Sequence, residues 1–362
     1  MKLFRKELEE LSCYVPGKPL EEVMESYGLT KVVKLASNEN PLGPSPLAIE
    51  AIREEAPHVH LYPDPEARAL KRALGLELGV EPEQILLGNG GEATIQLVAA
   101  SVIERGDEVV VPDPGFSLHE ITAAHMGGIV RRVPLLEDYS HDLEGMLRAV
   151  NDKTKIVYLT NPNNPTGAMV NKMQLEDFAS RLPQEVLLFL DEAYFEFAKI
   201  DPNYPDGLEI LKTRKNTIVL RTFAKVCGIA GLRLGYIVST PEIICEISKS
   251  AGVFSVNRLA QVAGLASLKD KEHVERSVAL ARASLSRMME YFDSKGLEYI
   301  PAKGNFIFVN IKEEGRRINQ ELLKKGVIIR PGFLWGWDSW LRVSCGTMEN
   351  TELFIEALDG LI

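Results

Sequence analysis

From about residue 85 onward, short apolar runs alternate with longer amphipathic stretches. The runs "QILLG", "DEVVVPDP", "IVRRVPL", "KIVYLTNP", "EVLLFLDEAY", "NTIVLRTF" and "RLGYIVS" have strand length, and several are almost continuously apolar, as strands buried on both faces are. Most are separated by stretches such as "GEATIQLVAASVIER" and "KMQLEDFASRLP", which are long enough for a helix. This alternation predicts βα units, hence an α/β fold with a largely parallel sheet and helices on both faces.

From about residue 241 the pattern changes. A long amphipathic helical region runs through "SVALARASLSRMMEYFDSKG", followed by "GNFIFVNI", "GRRINQELLKKG", "VIIRPG", "WLRVSCGT" and a terminal helix "NTELFIEALDGLI". These predict a smaller α+β domain. The Pro/Gly-rich "ASNENPLGPSP" reads as an arm or crossover. The expected division is 1–45 for the arm and crossover, contributing to the small domain, 46–250 for the large domain and 251–362 for the small one.

Composition narrows the class of function. The 362 residues are 45% hydrophobic and 25% charged, ordinary globular usage with length for two domains. The net charge is −10 with Lys and Arg dispersed, which argues against nucleic acid as the main partner. No apolar stretch is long enough to span a bilayer, and "MKLFRKELEELSCYV" lacks a signal-peptide core, so a cytoplasmic location is expected. Cys13, Cys227, Cys245 and Cys345 are scattered, and neither a disulfide framework nor a metal site is indicated.

In an open α/β sheet, ligands sit beyond the carboxyl ends of the strands, so the residues where apolar runs stop are the informative ones. "QILL" stops in "GNGGEAT", "KIVYLT" in "NPNNPTG", "EVLLFL" in "DEAY", and "NTIVLRTF" in "AK". Gly88, Gly90 and Ala93 fit the dinucleotide pattern GxGxxG/A, with Asp107 and Glu108 near the spacing of a ribose-binding acid. Those acids precede their strand instead of ending one, which weakens that reading. What survives is a phosphate cradle of glycine amides at a helix N-terminus.

Lys225 stands in "RTFAKVCGIAGLRLGY", with the next positive charge at Arg233. A second cation near a partly desolvated amine lowers its pKa and suits it to imine formation, although a lysine stem laid on apolar surface is the plain alternative. Asp191 closes an apolar strand and is exposed, paired or functional. A buried aspartate facing a heterocyclic nitrogen holds that nitrogen protonated. Tyr194, three residues on, is within reach of the same ligand, and Asn164 in "NNPTG" is either a turn asparagine before proline or a further group that binds a ligand hydroxyl. Taken together, cradle, arginine, lysine and aspartate describe a pyridoxal 5'-phosphate site.

At these residues the chain resembles the fold-type I aminotransferases. "NPNNPTG", "DEAY", "RTFAK" with "GLRLGY", and the arms "YVPGKP" and "LASNENPLGPSP" carry the resemblance, which is nearest to the histidinol-phosphate branch and covers nearly the whole chain. It implies a large domain with a mostly parallel seven-stranded sheet sandwiched by helices, and a homodimer with shared sites. It further implies Lys225 as Schiff-base lysine, Asp191 as pyridinium partner, and Asn164 and Tyr194 on the ring hydroxyl. Arg233, the amides of Gly90 and Gly91, and Thr222 would hold the phosphate. Phe116 would stack on the ring, and Tyr62 would reach the phosphate from the neighbouring subunit. Arg342 and Arg330 would grip substrate anions, with Tyr14 and Asn40 lining the same pocket.

The implied reaction is a ping-pong transamination between histidinol phosphate and 2-oxoglutarate. An aromatic or broad-range aminotransferase, a threonine-phosphate-type decarboxylase and a cofactor-binding protein without turnover are the rivals. Three departures from the family pattern bear on this choice. Gly91, Glu92 and Ala93 replace a Ser-Asp-Glu-like run, Ala224 replaces a frequent serine, and Trp335 stands where tyrosine is common, near Trp337 and Trp340. The tryptophans are expected either to pack in the core or to reshape the substrate pocket.

Overall fold

The computed structural model describes residues 3, 5–9 and 17–362. Seven strands form the main sheet: β1 (Ile85–Asn89), β2 (Glu108–Asp113), β3 (Ile129–Pro134), β4 (Thr154–Thr160), β5 (Leu187–Asp191), β6 (Thr217–Thr222) and β7 (Leu234–Val238). Their spatial order is β1-β7-β6-β5-β4-β2-β3. Successive residues of each inner strand bury on opposite faces, as the pleat requires. Val109 and Val111 pack into one apolar cluster while Val110 packs into the other, and Leu187 and Phe189 are likewise separated from Leu188 and Leu190. Two buried faces explain why these runs carry so few polar residues.

One face is covered by helices Gly90–Val102, Ser117–His125 and Pro241–Ser248, through Ile95, Val98, Ala123 and Ile244. The other is covered by helices that include Arg68–Leu78, Lys172–Arg181 and Arg258–Lys269, through Leu70, Leu74, Phe178 and Ala263. Helix Arg258–Lys269 also packs on helix Pro46–Glu55.

The six neighbouring pairings fit the βα expectation in part only. The pairs β2–β3, β2–β4, β4–β5 and β5–β6 are parallel. The strand "RLGYIVS", expected as one more βα repeat, is instead antiparallel to both its neighbours, β1 and β6. The cause is the length of its connection. Residues 223–233 hold no α-helix and are too short for a parallel crossover, so the chain turns back beside β6. Both ends of that turn therefore face the same edge of the sheet.

A second, four-stranded antiparallel sheet is ordered Arg330–Pro331, Trp340–Ser344, Phe306–Asn310, Glu298–Ile300. Long helix Lys271–Ser294 and helices Gly315–Lys324 and Met348–Asp359 accompany it. The opening segment joins this part of the molecule through a two-stranded parallel pairing of Val33–Lys34 with Val327–Ile328.

Gly235 marks the tightest approach in the main sheet. A Cβ there would lie 2.5 Å from the Gly91 nitrogen and 2.8 Å from the Gly90 carbonyl carbon. Gly235→Ala forces the start of helix Gly90–Val102 away from β7, an overpacking that should cost about 2 kcal/mol. Urea denaturation of the cofactor-free protein measures this, and an unchanged midpoint would contradict the close packing.

Candidate active site

The carboxyl ends of β4, β5 and β6 lie side by side, with Thr160 opposite Asp191 and Asp191 opposite Leu220, two residues before Thr222. Above them opens a cavity of about 260 Å³. Its walls include Gly91, Phe116, Asn164, Asp191, Tyr194, Thr222, Lys225, Arg233, Arg330 and Arg342. Most of these residues, far apart in the chain, meet at one pocket because they end a strand of the main sheet or follow it closely, whereas Arg330 and Arg342 come from strands of the second sheet.

Asp191 is buried, and its Oδ1 accepts a hydrogen bond from the Ala193 amide at 3.1 Å. Its Oδ2 lies 3.1 Å from Nε2 of buried His119, whose ring stacks on Tyr158 at 4.6 Å. The neighbouring carboxylate takes the opposite course. Glu192 turns from the pocket, accepting from the Gly207 amide at 2.7 Å and from Arg221 at 2.8 Å and 2.9 Å. Burial pushes the Glu192 carboxyl up to about 7. Arg221 also donates to Asp206, and its guanidinium lies 3.4 Å from the centre of the Phe195 ring. This buried network ties the tips of β5 and β6 together beneath the pocket.

Lys225 follows β6 by three residues, and its Nζ donates to the Ser37 carbonyl at 2.9 Å. Loss of water around the ammonium and the nearby positive charge of Arg342 push it down from 10.5 to about 8. Arg233, at the far end of the same turn, has a left-handed backbone with φ 56°. The backbone reversal returns it to the glycines. A Cβ on Gly90, itself at φ +85°, would meet Arg233 Nη2 at 2.6 Å, so glycine there is what lets the guanidinium lie against the helix start. Arg233 Nη2 and Glu92 Oε2 are 3.8 Å apart.

Tyr194 joins the two parts of the molecule. Its hydroxyl accepts from Asn164 Nδ2 at 3.2 Å and from Asn38 Nδ2 at 2.9 Å, and its ring meets Phe306 edge-on at 5.0 Å. Arg342 Nη1 donates to Asn164 Oδ1 at 2.6 Å, and Nη2 donates to the Ala36 carbonyl at 2.5 Å. Arg330 sits directly opposite Arg342 in antiparallel register, so the two side chains share one face. Like charges so placed repel unless anions are bound between them.

Not every expected site residue is brought here. Tyr14 lies outside the described residues. Asn40 does not line the cavity, and its amide is committed elsewhere, donating to the Val226 carbonyl at 2.7 Å and to Ser277 Oγ at 2.8 Å while accepting from the Leu42 amide. Tyr62 is exposed, away from this pocket, and stacks on Phe254 at 4.6 Å. The tryptophans do not line the cavity; Trp335, Trp337 and Trp340 pack around Phe308. Asp107 and Glu108 stand at the opposite end of β2 from the cavity edge. Glu108 is held down to about 2 by Arg131 and Asn151, so no dinucleotide acid is formed.

Asn38, Ser37 and His119 belong to the site and were not anticipated. His119 had a signal, standing one helical turn after Phe116. Asn38 lies two residues before Asn40 in the same "SNEN", and its left-handed backbone, φ 55°, aims it at Tyr194.

The residues present fit a phosphorylated pyridine. Glycine amides at a helix N-terminus beside Arg233 suit a phosphate. Asp191 suits a protonated ring nitrogen. The buried Thr160 hydroxyl lines the cavity and has no hydrogen-bond partner in the protein, as expected where a polar ligand completes the site.

Comparison with known proteins agrees with this geometry. Residues 30–358 match the family model described as aminotransferase class I and II. The chain belongs to that family. A histidinol-phosphate aminotransferase of Moorella thermoacetica is 44% identical to this aminotransferase over 359 residues, covering 99% of this chain and 92% of the relative. A histidinol-phosphate aminotransferase 2 of Carboxydothermus hydrogenoformans is 44% identical over 356 residues, covering 98% of each. The crystal structure of histidinol-phosphate aminotransferase from Sinorhizobium meliloti in complex with pyridoxal-5'-phosphate superposes with a TM-score of 0.91 at 30% identity, covering 100% of this chain and 99% of that one.

The lowered lysine sets a pH dependence. Below about 8 the Lys225 amine is mostly protonated, so capture of pyridoxal phosphate by the cofactor-free aminotransferase should slow about tenfold per unit on the acid side and level off above. Stopped-flow absorbance across pH 6 to 10 is the check, using roughly unit steps. A rate still climbing toward the ordinary 10.5 would contradict the desolvated environment.

Proposed function

We propose that this aminotransferase uses pyridoxal 5'-phosphate to move an amino group between histidinol phosphate and 2-oxoglutarate, giving imidazole acetol phosphate and L-glutamate in histidine biosynthesis. The observation that carries the reading is the pairing of Arg330 and Arg342 across one pocket with Lys225. Two adjacent cations beyond the cradle arginine call for a substrate that brings its own phosphate or carboxylates. The relatives' names and the bound cofactor of the Sinorhizobium meliloti protein support it.

Bound here, the cofactor supplies an aldehyde carbon for imine exchange and a ring that spreads the charge left when a substrate proton departs. Gly90, Gly91, Thr222 and Arg233 would hold its phosphate, Asp191 its ring nitrogen, and Asn164 and Tyr194 its hydroxyl. Phe116 would cover one ring face. Asp191, oriented by the Ala193 amide and close to His119, keeps the ring-nitrogen proton in place. Arg342 and Arg330 orient the substrate by its anions, and Arg342 carries the carboxylate of the amino-acid donor. Lys225, with its pKa near 8, takes the proton from the substrate carbon as a base and returns it at the adjoining position.

We take the active form to be a homodimer in which Tyr62 of each copy completes the other's phosphate cradle. Its support is an exposed apolar patch of Val59, Leu61, Tyr62 and Val253 around the Tyr62–Phe254 stack. The division into an arm and crossover (1–45), a large domain (46–250) and a small domain (251–362) is likewise our proposal. Pairing of Val33–Lys34 with Val327–Ile328 supports joining the arm to the small domain. Residues 258–269 pack on the large-sheet helices. A cytoplasmic location is supported by the unpaired thiols of Cys227, Cys245 and Cys345. Among the described residues no helix is long and apolar enough to cross a membrane.

The deciding experiment mixes cofactor-loaded protein with histidinol phosphate, phenylalanine or phosphothreonine and follows the cofactor's absorption. Stoichiometric conversion to the amine form at least tenfold faster with histidinol phosphate than with phenylalanine is expected. Faster conversion by phenylalanine, or release of CO2 from phosphothreonine without that conversion, would overturn the assignment.

A further inference from the structure

The turn between the two substrate arginines has a role the reaction scheme leaves open. Directly after the Arg330–Pro331 strand, residues Gly332–Trp335 form a tight 3-10 turn, and Trp340–Ser344 then brings back Arg342. The turn is closely fitted. A Cβ on Gly332 would lie 2.4 Å from the Trp337 carbonyl oxygen and 2.6 Å from that of Trp340. Arg316 lies 4.0 Å from the centre of the Phe333 ring and holds the outer side.

Trp335, at the end of that turn, presents its ring to Arg342 with 5.5 Å between the guanidinium carbon and the ring centre, within cation–π range. Behind it is Phe308, met edge-on at 6.1 Å and 87°, and Phe308 is itself stacked on Trp340 at 4.9 Å. Phe306 also lies 5.5 Å from the same guanidinium and touches Tyr194. Among the described residues, the rings of Phe306 and Trp335 border Arg342, each anchored to other buried groups.

Such a support answers a specific problem. Arg330 stands at the directly opposite register position and repels Arg342, while hydrogen bonds to Asn164 and Ala36 hold the two terminal nitrogens of its guanidinium. An aromatic face attracts the guanidinium in the absence of substrate, and so preorganises it for an incoming anion. The geometry assigns Trp335 as a positioning residue that holds Arg342 in its anion-gripping pose and thereby sets affinity for the substrate carboxylate. This assignment rests on the reading of Arg342 as the substrate's anion grip. Trp335 stays outside the cavity itself, so it acts through Arg342 and not on substrate.

The test is a double-mutant cycle on the cofactor-loaded protein, with succinate as an unreactive dicarboxylate probe followed by cofactor absorbance, and with kcat and KM for 2-oxoglutarate. Trp335→Leu should weaken succinate about fivefold to thirtyfold and raise KM similarly, with kcat changed less than about threefold. Trp335→Phe, which keeps a ring face, should stay within about threefold of the parent. In an Arg342→Ala background, Trp335→Leu should have no further effect, because the group it positions is gone. Should the leucine variant lose the cofactor's absorption band, Trp335→Met, whose unbranched and flexible side chain adapts to the gap without offering a ring face, takes its place. Equal losses with Leu and Phe, the same loss in both backgrounds, or no loss at all would each overturn the assignment while leaving Arg342 as the grip. An Arg342→Ala variant that binds succinate like the parent would instead remove the grip itself, and this inference with it.

Discussion

Four cations, Lys225, Arg233, Arg330 and Arg342, converge on one partly dry pocket whose wall includes the carboxylates Asp191 and Glu92. Their mutual repulsion is the constraint around which the rest is arranged. In this setting the lysine gives way first. Its ammonium loses water and faces Arg342, so its proton is held weakly, whereas guanidinium groups keep theirs under any physiological condition. The surviving charges favour anions, and they sit where a cofactor phosphate and substrate anions would arrive. A pocket of this kind is stabilised by what it binds.

The sheet imposes the convergence. β4, β5 and β6 end together, which sets Asn164, Asp191 and Lys225 on adjoining strand tips. The short turn of residues 223–233 sends β7 back antiparallel, and that reversal returns Arg233 to the glycines that open helix Gly90–Val102. The antiparallel sheet then supplies Arg330 and Arg342 from opposite register positions. Beneath the site, Glu192 and Arg221 lock two strand tips by a buried ion pair. Breaking such a pair leaves an uncompensated buried charge, so it acts as a strut for the groups above it.

Much of this was legible along the chain, for physical reasons that differ from element to element. Strands buried on both faces must be nearly all apolar, so "KIVYLT", "EVLLFL" and "NTIVL" announce themselves, and the polar residues that end them are conspicuous. An apolar run carries no direction, however, and "RLGYIVS" could not reveal that it runs against its neighbours. Asn38 and Asn40 stand two residues apart with identical side chains, and only the left-handed turn at Asn38 decides which one reaches Tyr194. His119, Ser37 and Arg221 act through partners dozens to hundreds of residues away, a relation that local spacing does not encode. The tryptophans had two readings, and the structure supports packing, with Trp335 extending that packing to Arg342.

The central claim is that Lys225 anchors the cofactor at the tips of β5 and β6. Borohydride reduction of the cofactor-loaded protein followed by peptide mass mapping tests it most directly, because reduction fixes the cofactor on whichever amine carries it. The account predicts a single modified peptide containing Lys225, with Lys225→Ala protein unlabelled under the same conditions. Labelling of any other lysine in the parent, or undiminished labelling of the Lys225→Ala variant, would contradict it.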